Sequence, residues 1–85
     1  MALTPRQREI LDFEREWWRE PGSKEAAIQT RLDLSASSYY RMLARVVDDP
    51  DAVSYDPLTV KRLRRQRDQR RRDRYEGRRA GPGPT

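Results

Sequence analysis

The side chains able to do chemistry in this sequence are carboxylates and guanidinium groups: its 85 residues include 19 Lys and Arg, 14 Asp and Glu, and neither His nor Cys. Without His, no side chain titrates near neutrality at its ordinary value. Without Cys, a thiolate nucleophile, a disulfide and a zinc-type ligand set are all absent. The carboxylates Asp12, Glu14 and Glu16, and the "DDPD" run at residues 48–51, accompany no Gly-rich phosphate loop and no nucleophile motif. "DDPD" could attract a hard cation, yet as a capping turn it needs none. The composition therefore points away from an enzyme, and no cofactor, metal or small-molecule substrate is expected.

Guanidinium chemistry is recognition. The net charge of +5 is unevenly spread: residues 1–55 carry 8 basic and 10 acidic side chains, a net of −2, whereas residues 56–85 carry 11 and 4, a net of +7. A strongly positive terminal third suggests a polyanionic partner, nucleic acid first among them. In "VKRLRRQRDQRRRDRYEGRR" the candidates for phosphate contact are Lys61, Arg62, Arg64, Arg65, Arg67, Arg70, Arg71, Arg72 and Arg74. Arginine neutralises phosphate and also forks onto it. The bland alternative is a solvated helix that aids solubility, and an arginine-rich helix can equally enter folded RNA. The segment has too few apolar residues to anchor in a membrane. No run of 18 apolar residues exists and the start lacks a signal peptide, so a cytoplasmic, nucleoid-associated protein is expected.

Helices must position these groups. Thr4 and Pro5 have the N-cap and first-position chemistry of a helix start, and Ile10, Phe13 and Trp17 form an i, i+3, i+7 stripe beside Leu11 and Trp18. Pro21 and Gly22 stop this helix, and Ser23 can cap a second, "KEAAIQTRL". Asp33, which tolerates a left-handed backbone, and Ser35, a capping residue, lead into a third, "ASSYYRMLARVV". "DDPDAVSYDP" reads as a turn-rich connector whose two Asp-Pro pairs can each start a helix, with Asp56 and Pro57 opening the last one. Leu58, Val60 and Leu63 can pack back on the body, but residues 64–74 contain no apolar side chain.

The expected fold is all-α: a three-helix, helix-turn-helix-like core over residues 5–19, 24–32 and 36–47, followed by a long basic C-terminal helix. The expected divisions are a core at 1–55, a basic helix at 56–76 and a flexible tail at 77–85. In the helix-turn-helix pattern, Ile28, Leu32, Leu34, Ser35, Tyr39 and Leu43 hold the aliphatic, turn and inward positions. Gln29 stands where a small residue is usual, Asp33 where Gly is usual, and Tyr39 where a β-branched residue is common. On this reading Ser37, Ser38, Tyr40 and Arg41 face bases in a major groove and Arg45 lies near a phosphate. The alternative is that the two tyrosines fill a small core and the arginines form a solvated face.

Trp17 and Trp18 could stack bases or bind a partner, but a broad apolar face accounts for most of both, with one in the core and the other half-exposed. Together "LTPRQREILDFEREWW", "KEAAI", "LSASSYYRML", "DDPDAVSYDPLTVKRLRR" and the Arg-rich end resemble a domain-of-unknown-function family of small actinobacterial and actinophage proteins. The likeness covers residues 3–72. It implies a helix-turn-helix and an actinobacterial setting, and carries over no catalytic residue or ligand. The functional expectation is a small DNA-binding protein, either a transcriptional regulator or nucleoid-associated, acting as a homodimer or with a protein partner if regulatory. Two rivals are a ribosome- or RNA-associated protein using the arginine helix, and an interaction module contacting the transcription machinery through Trp17 and Trp18.

Overall fold

The computed structural model describes residues 2–80, with side chains through residue 74. Among the described residues every regular element is helical. Helix α1 (Pro5–Glu16) starts on a reciprocal cap: the Gln7 amide donates to the Thr4 hydroxyl at 3.1 Å, and the Thr4 amide donates to the Gln7 side chain at 2.8 Å. These two bonds satisfy amides that no helical carbonyl reaches. The helix tightens into a 3-10 turn (Trp17–Arg19), so α-helical winding ends one turn short of the expected Arg19. Gly22, at φ 104°, makes the turn in a conformation that L side chains rarely adopt.

Ser23 accepts the Ala26 amide at 3.1 Å and caps α2 (Lys24–Ala27), which continues as a π-helical segment (Ile28–Leu32). The chain reverses at Asp33, whose φ of 56° is left-handed. A short polar side chain tolerates that region better than most. Ser35 then accepts the Ser38 amide at 3.2 Å and starts α3 (Ala36–Val47). The expected connector holds a helix of its own, α4 (Pro50–Tyr55), capped by Asp49. Asp56 caps α5 (Pro57–Ala80) through the Thr59 amide at 3.2 Å. Both Asp-Pro pairs thus start helices, because each offers a side-chain acceptor followed by a residue with no amide to satisfy.

The core consists of two apolar clusters. Leu3, Leu11, Val46, Val47, Ala52, Val60 and Leu63 form one, and Ile10, Phe13, Ile28, Leu32 and Tyr39 form the other. Helix α1 feeds both because adjacent helical residues point about 100° apart, so Ile10 and Leu11 diverge. Leu43 packs against both clusters and joins them.

Val60 and Leu63 pack back on the body as expected and are buried, so the first two turns of α5 belong to the core. Leu58, expected to pack with them, is 79% exposed; it lies on the other side of the same helix. Helix α5 also continues past residue 76 to Ala80, while residues 81–85 of the expected tail lie outside the described residues. Beyond Leu63 the helix buries no further apolar side chain through residue 74. The chain extends over 50 × 31 × 21 Å with a radius of gyration of 15.4 Å, against about 12 Å for a compact chain of this length. Among the described residues no helix is long and apolar enough to cross a membrane.

Candidate nucleic-acid interface

Helix α3 divides its side chains between two environments. Tyr39, Val46 and Val47 are buried, and Met42 and Leu43 are partly buried against the clusters. On the opposite side Ser37, Arg41 and Arg45 follow one another at four-residue spacing, all exposed. Among the described residues no carboxylate forms an ion pair with Arg41 or Arg45. Ser38 stands at the edge of this face, half-buried, with its Oγ accepting from the capping Ser35 hydroxyl at 3.0 Å. Tyr40 turns to the opposite flank, its ring edge-on to Tyr39 with centroids 5.1 Å apart. The structure therefore brings Ser37, Arg41 and Arg45 together, places Ser38 beside them and separates Tyr40 from them.

The cations of α5 fall into two groups. Arg62 donates to the Glu14 carbonyl at 2.9 Å, Arg64 donates to the Val47 carbonyl at 2.8 Å, and Arg67 pairs with Asp48. These three hold the helix against α1 and α3. The Arg67 guanidinium, through its hydrogen bond first, keeps the Asp48 carboxyl below the usual carboxylate range. Lys61, Arg65, Arg70, Arg71, Arg72 and Arg74 form no ion pair among the described residues, and all are exposed. Such unpaired guanidiniums are what a polyanion would neutralise.

An open-mouthed cleft of about 330 Å³ runs between α3 and α5. Leu43, Ala44, Val47 and Leu63 make its floor, and Arg67, Arg70, Arg71 and Arg74 its wall. Those arginines are spaced i, i+3, i+4, i+7, the pattern of one helix face. The stripe that carries Val60 and Leu63 in the core thus continues outward as cations. Lys24 and Tyr40 also line the cleft.

Below it lies a network that the charge pattern conceals. Glu14 is 2% exposed, accepts from the Tyr39 hydroxyl and lies 2.8 Å from the Lys24 ammonium. The same ammonium stands 5.2 Å from the Trp17 ring centroid, 5.7 Å from Tyr39 and 5.3 Å from Tyr40, within cation–π range. Burial, followed by the Glu14 charge, pushes the Tyr39 phenol well above its ordinary value. Sequence reading missed Glu14, but a signal was present: with Ile10, Phe13 and Trp17 it completes an i, i+3, i+4, i+7 set, an acid inside an apolar stripe. Trp17 is half-buried in this network, whereas Trp18 is 57% exposed with the Arg19 guanidinium 5.3 Å over its ring.

No curated protein and no solved structure matches the chain. Residues 2–75 match a family model described as a protein of unknown function, DUF3263, and with most of its length covered the chain belongs to that family.

Proposed function

We propose that the chain is a small DNA-binding protein, a transcriptional regulator or nucleoid-associated protein, in the actinobacterial setting that the family resemblance implies. In this reading α2 and α3 act as a helix-turn-helix. Asp33 supplies the left-handed turn, and α3 enters the major groove with Ser37 and Arg41 toward base edges, Ser38 at the margin and Arg45 toward a phosphate. Arg65, Arg70, Arg71, Arg72 and Arg74 of α5 follow the backbone and supply most of the affinity. Residues 1–55, net negative, would bind phosphates poorly alone. Tyr40, on the flank toward α5, contacts a base only if α5 shares the groove.

The observation carrying this reading is the line Ser37, Arg41, Arg45 on the exposed face of α3, which among the described residues has no carboxylate partner, beside a helix on which Arg65, Arg70, Arg71, Arg72 and Arg74 likewise form no ion pair among the described residues. An isolated α3 reads a short half-site, so a regulator of this kind acts as a homodimer or with a protein partner.

The test is a selection from random duplex DNA at about 150 mM salt with structured RNA as competitor. Three full-length proteins are compared: the parent chain, Arg41→Ala, and a variant with Arg70, Arg71, Arg72 and Arg74 changed to Gln. Neutralisation is preferable to cutting at Tyr55, since the cut would remove Val60 and Leu63 from the core. An enriched motif that Arg41→Ala relaxes supports the reading. Salt-sensitive binding with no motif, unaffected by Arg41→Ala and removed by RNA, refutes it and assigns the arginine helix to RNA.

A further inference from the structure

The arginine wall of the α3–α5 cleft stands over more apolar surface than phosphate recognition uses. A nucleic-acid backbone offers charge and no apolar anchor, so it would engage Arg70, Arg71 and Arg74 and leave the floor wet. That floor is nonetheless accessible: Ala44 is exposed and Leu43 only partly buried. The cleft volume, about 330 Å³, lies at the lower end of the range of about 300–1,000 Å³ for binding clefts.

We propose that this cleft docks an acidic amphipathic helix of a partner protein, which seats an apolar side chain on Leu43 and Ala44 while its carboxylates pair with Arg70, Arg71 and Arg74. Charge complementarity selects this occupant. Lys24 and Arg67 are already matched by Glu14 and Asp48, whereas the other three wall arginines form no ion pair among the described residues. From Arg67 to Arg74 the wall spans about 10 Å at the helical rise, nearly two turns of an opposing helix. A second copy of this chain fits less well. The carboxylates of its own α1 are engaged, Glu9 by Arg6, Asp12 by Arg15 and Tyr55, Glu16 by Arg15 and Arg31, with Glu14 buried. The inference stands apart from the DNA reading, but the two share Arg70, Arg71 and Arg74, so peptide and duplex would exclude one another there.

The experiment is fluorescence anisotropy of the full chain, at about 150 mM salt, with two labelled synthetic helical peptides. One carries leucines at i and i+4 flanked by Asp and Glu; the other keeps the acids and has Ser for each Leu. The anchored peptide should bind at least about tenfold tighter. Ala44→Arg should weaken it by about tenfold although it adds a cation, because the long side chain occupies the floor. Equal binding of the two peptides, or tighter binding by Ala44→Arg, overturns the proposal and leaves a plain polyanion surface. So does a dimer of the parent chain, by sedimentation equilibrium, that Ala44→Arg dissociates, since the floor would then belong to a second copy. Should Ala44→Arg fail to fold by circular dichroism, methyl shifts of the parent chain decide. The anchored peptide should move Leu43, Ala44 and Leu63 selectively, and unmoved methyls overturn the proposal.

Discussion

Replacing Lys24 with Met tests the most enclosed charge pair in the molecule. The ammonium lies 2.8 Å from Glu14 Oε2, with the lysine side chain 19% exposed and the glutamate side chain 3%. Removing the cation leaves a buried carboxylate whose remaining side-chain donor is the Tyr39 hydroxyl. Breaking a buried pair from one side costs about 3–5 kcal/mol. The surviving hydroxyl bond and the residual solvent access of Lys24 place the loss at the lower end, about 3 kcal/mol. Loss of the ring contacts adds about 0.5–1 kcal/mol. A chain of this length has a total stability on the order of 4–13 kcal/mol, so the variant stands close to unfolding. With a urea dependence of about 1 kcal/mol per molar, the midpoint should fall by about 3.5–4 M. Adding Glu14→Gln should move it back by about 2 M, because the amide still accepts from Tyr39 but carries no charge. Trp17 lies in the same network, so its fluorescence reports the transition directly. If Lys24→Met costs less than about 1 kcal/mol, or the double variant is no more stable than the single one, the pair behaves like an exposed ion pair. The network would then not fasten α1, α2 and α3.

Arg41→Ala should reduce discrimination at one base position by about 1–3 kcal/mol with an unchanged melting temperature; quantitative competition with single-base variants of a selected site measures it. Changing Arg70, Arg71, Arg72 and Arg74 to Gln should flatten the slope of log affinity against log salt by about 3.6, read by titration at several salt concentrations. The Tyr39 phenol is raised above its ordinary 10.0 in the fold. Its contribution is therefore complete below that pH and is lost as pH rises beyond it, since the unfolded chain ionises first. Urea midpoints across the alkaline range should fall for the parent and fall less steeply for Tyr39→Phe, which starts about 1–3 kcal/mol lower because Glu14 loses a donor. Asp33→Gly should stabilise the chain by about 0.5–1 kcal/mol, measured by thermal unfolding, because φ 56° strains any residue with a Cβ.

Helix starts were legible because their chemistry is local. Thr4, Ser23, Ser35, Asp49 and Asp56 each cap an amide two or three residues away, a distance that a sequence displays directly. The all-helical class followed from these caps and the apolar spacing, and the two tryptophans divided as adjacent helical positions require, Trp17 inward and Trp18 outward. What was not legible depended on contacts between distant segments. Val60, Leu63 and Leu58 are equally apolar, and only the direction from which α1, α3 and α4 approach decides which is buried. Arg62, Arg64 and Arg67 read like the other tail arginines, yet their acceptors, the Glu14 and Val47 carbonyls and Asp48, lie 17 to 48 residues earlier. The polar face of α3 was expected to carry Ser37, Ser38, Arg41 and Arg45; Ser37, Arg41 and Arg45 are exposed, Ser38 is half-buried, and Tyr40 lines the cleft between α3 and α5.

The continuity of α5 from core to basic end means that its information is carried by phase. Val60 and Leu63 fix the rotation of the helix about its axis, and with no break before Arg74 every later side chain inherits that angle. One residue inserted between Leu63 and Arg67 would leave the core and nearly all of the composition and charge as they are. It would turn Arg67, Arg70, Arg71 and Arg74 together by about 100° and advance them by about 1.5 Å, away from Asp48 and out of the cleft. A four-residue insertion would turn them by only about 40°, and would restore much of the facing that the single residue destroys. Two chains of almost equal charge would then differ in what they hold, as two keys cut from the same metal differ by the angle of one bit.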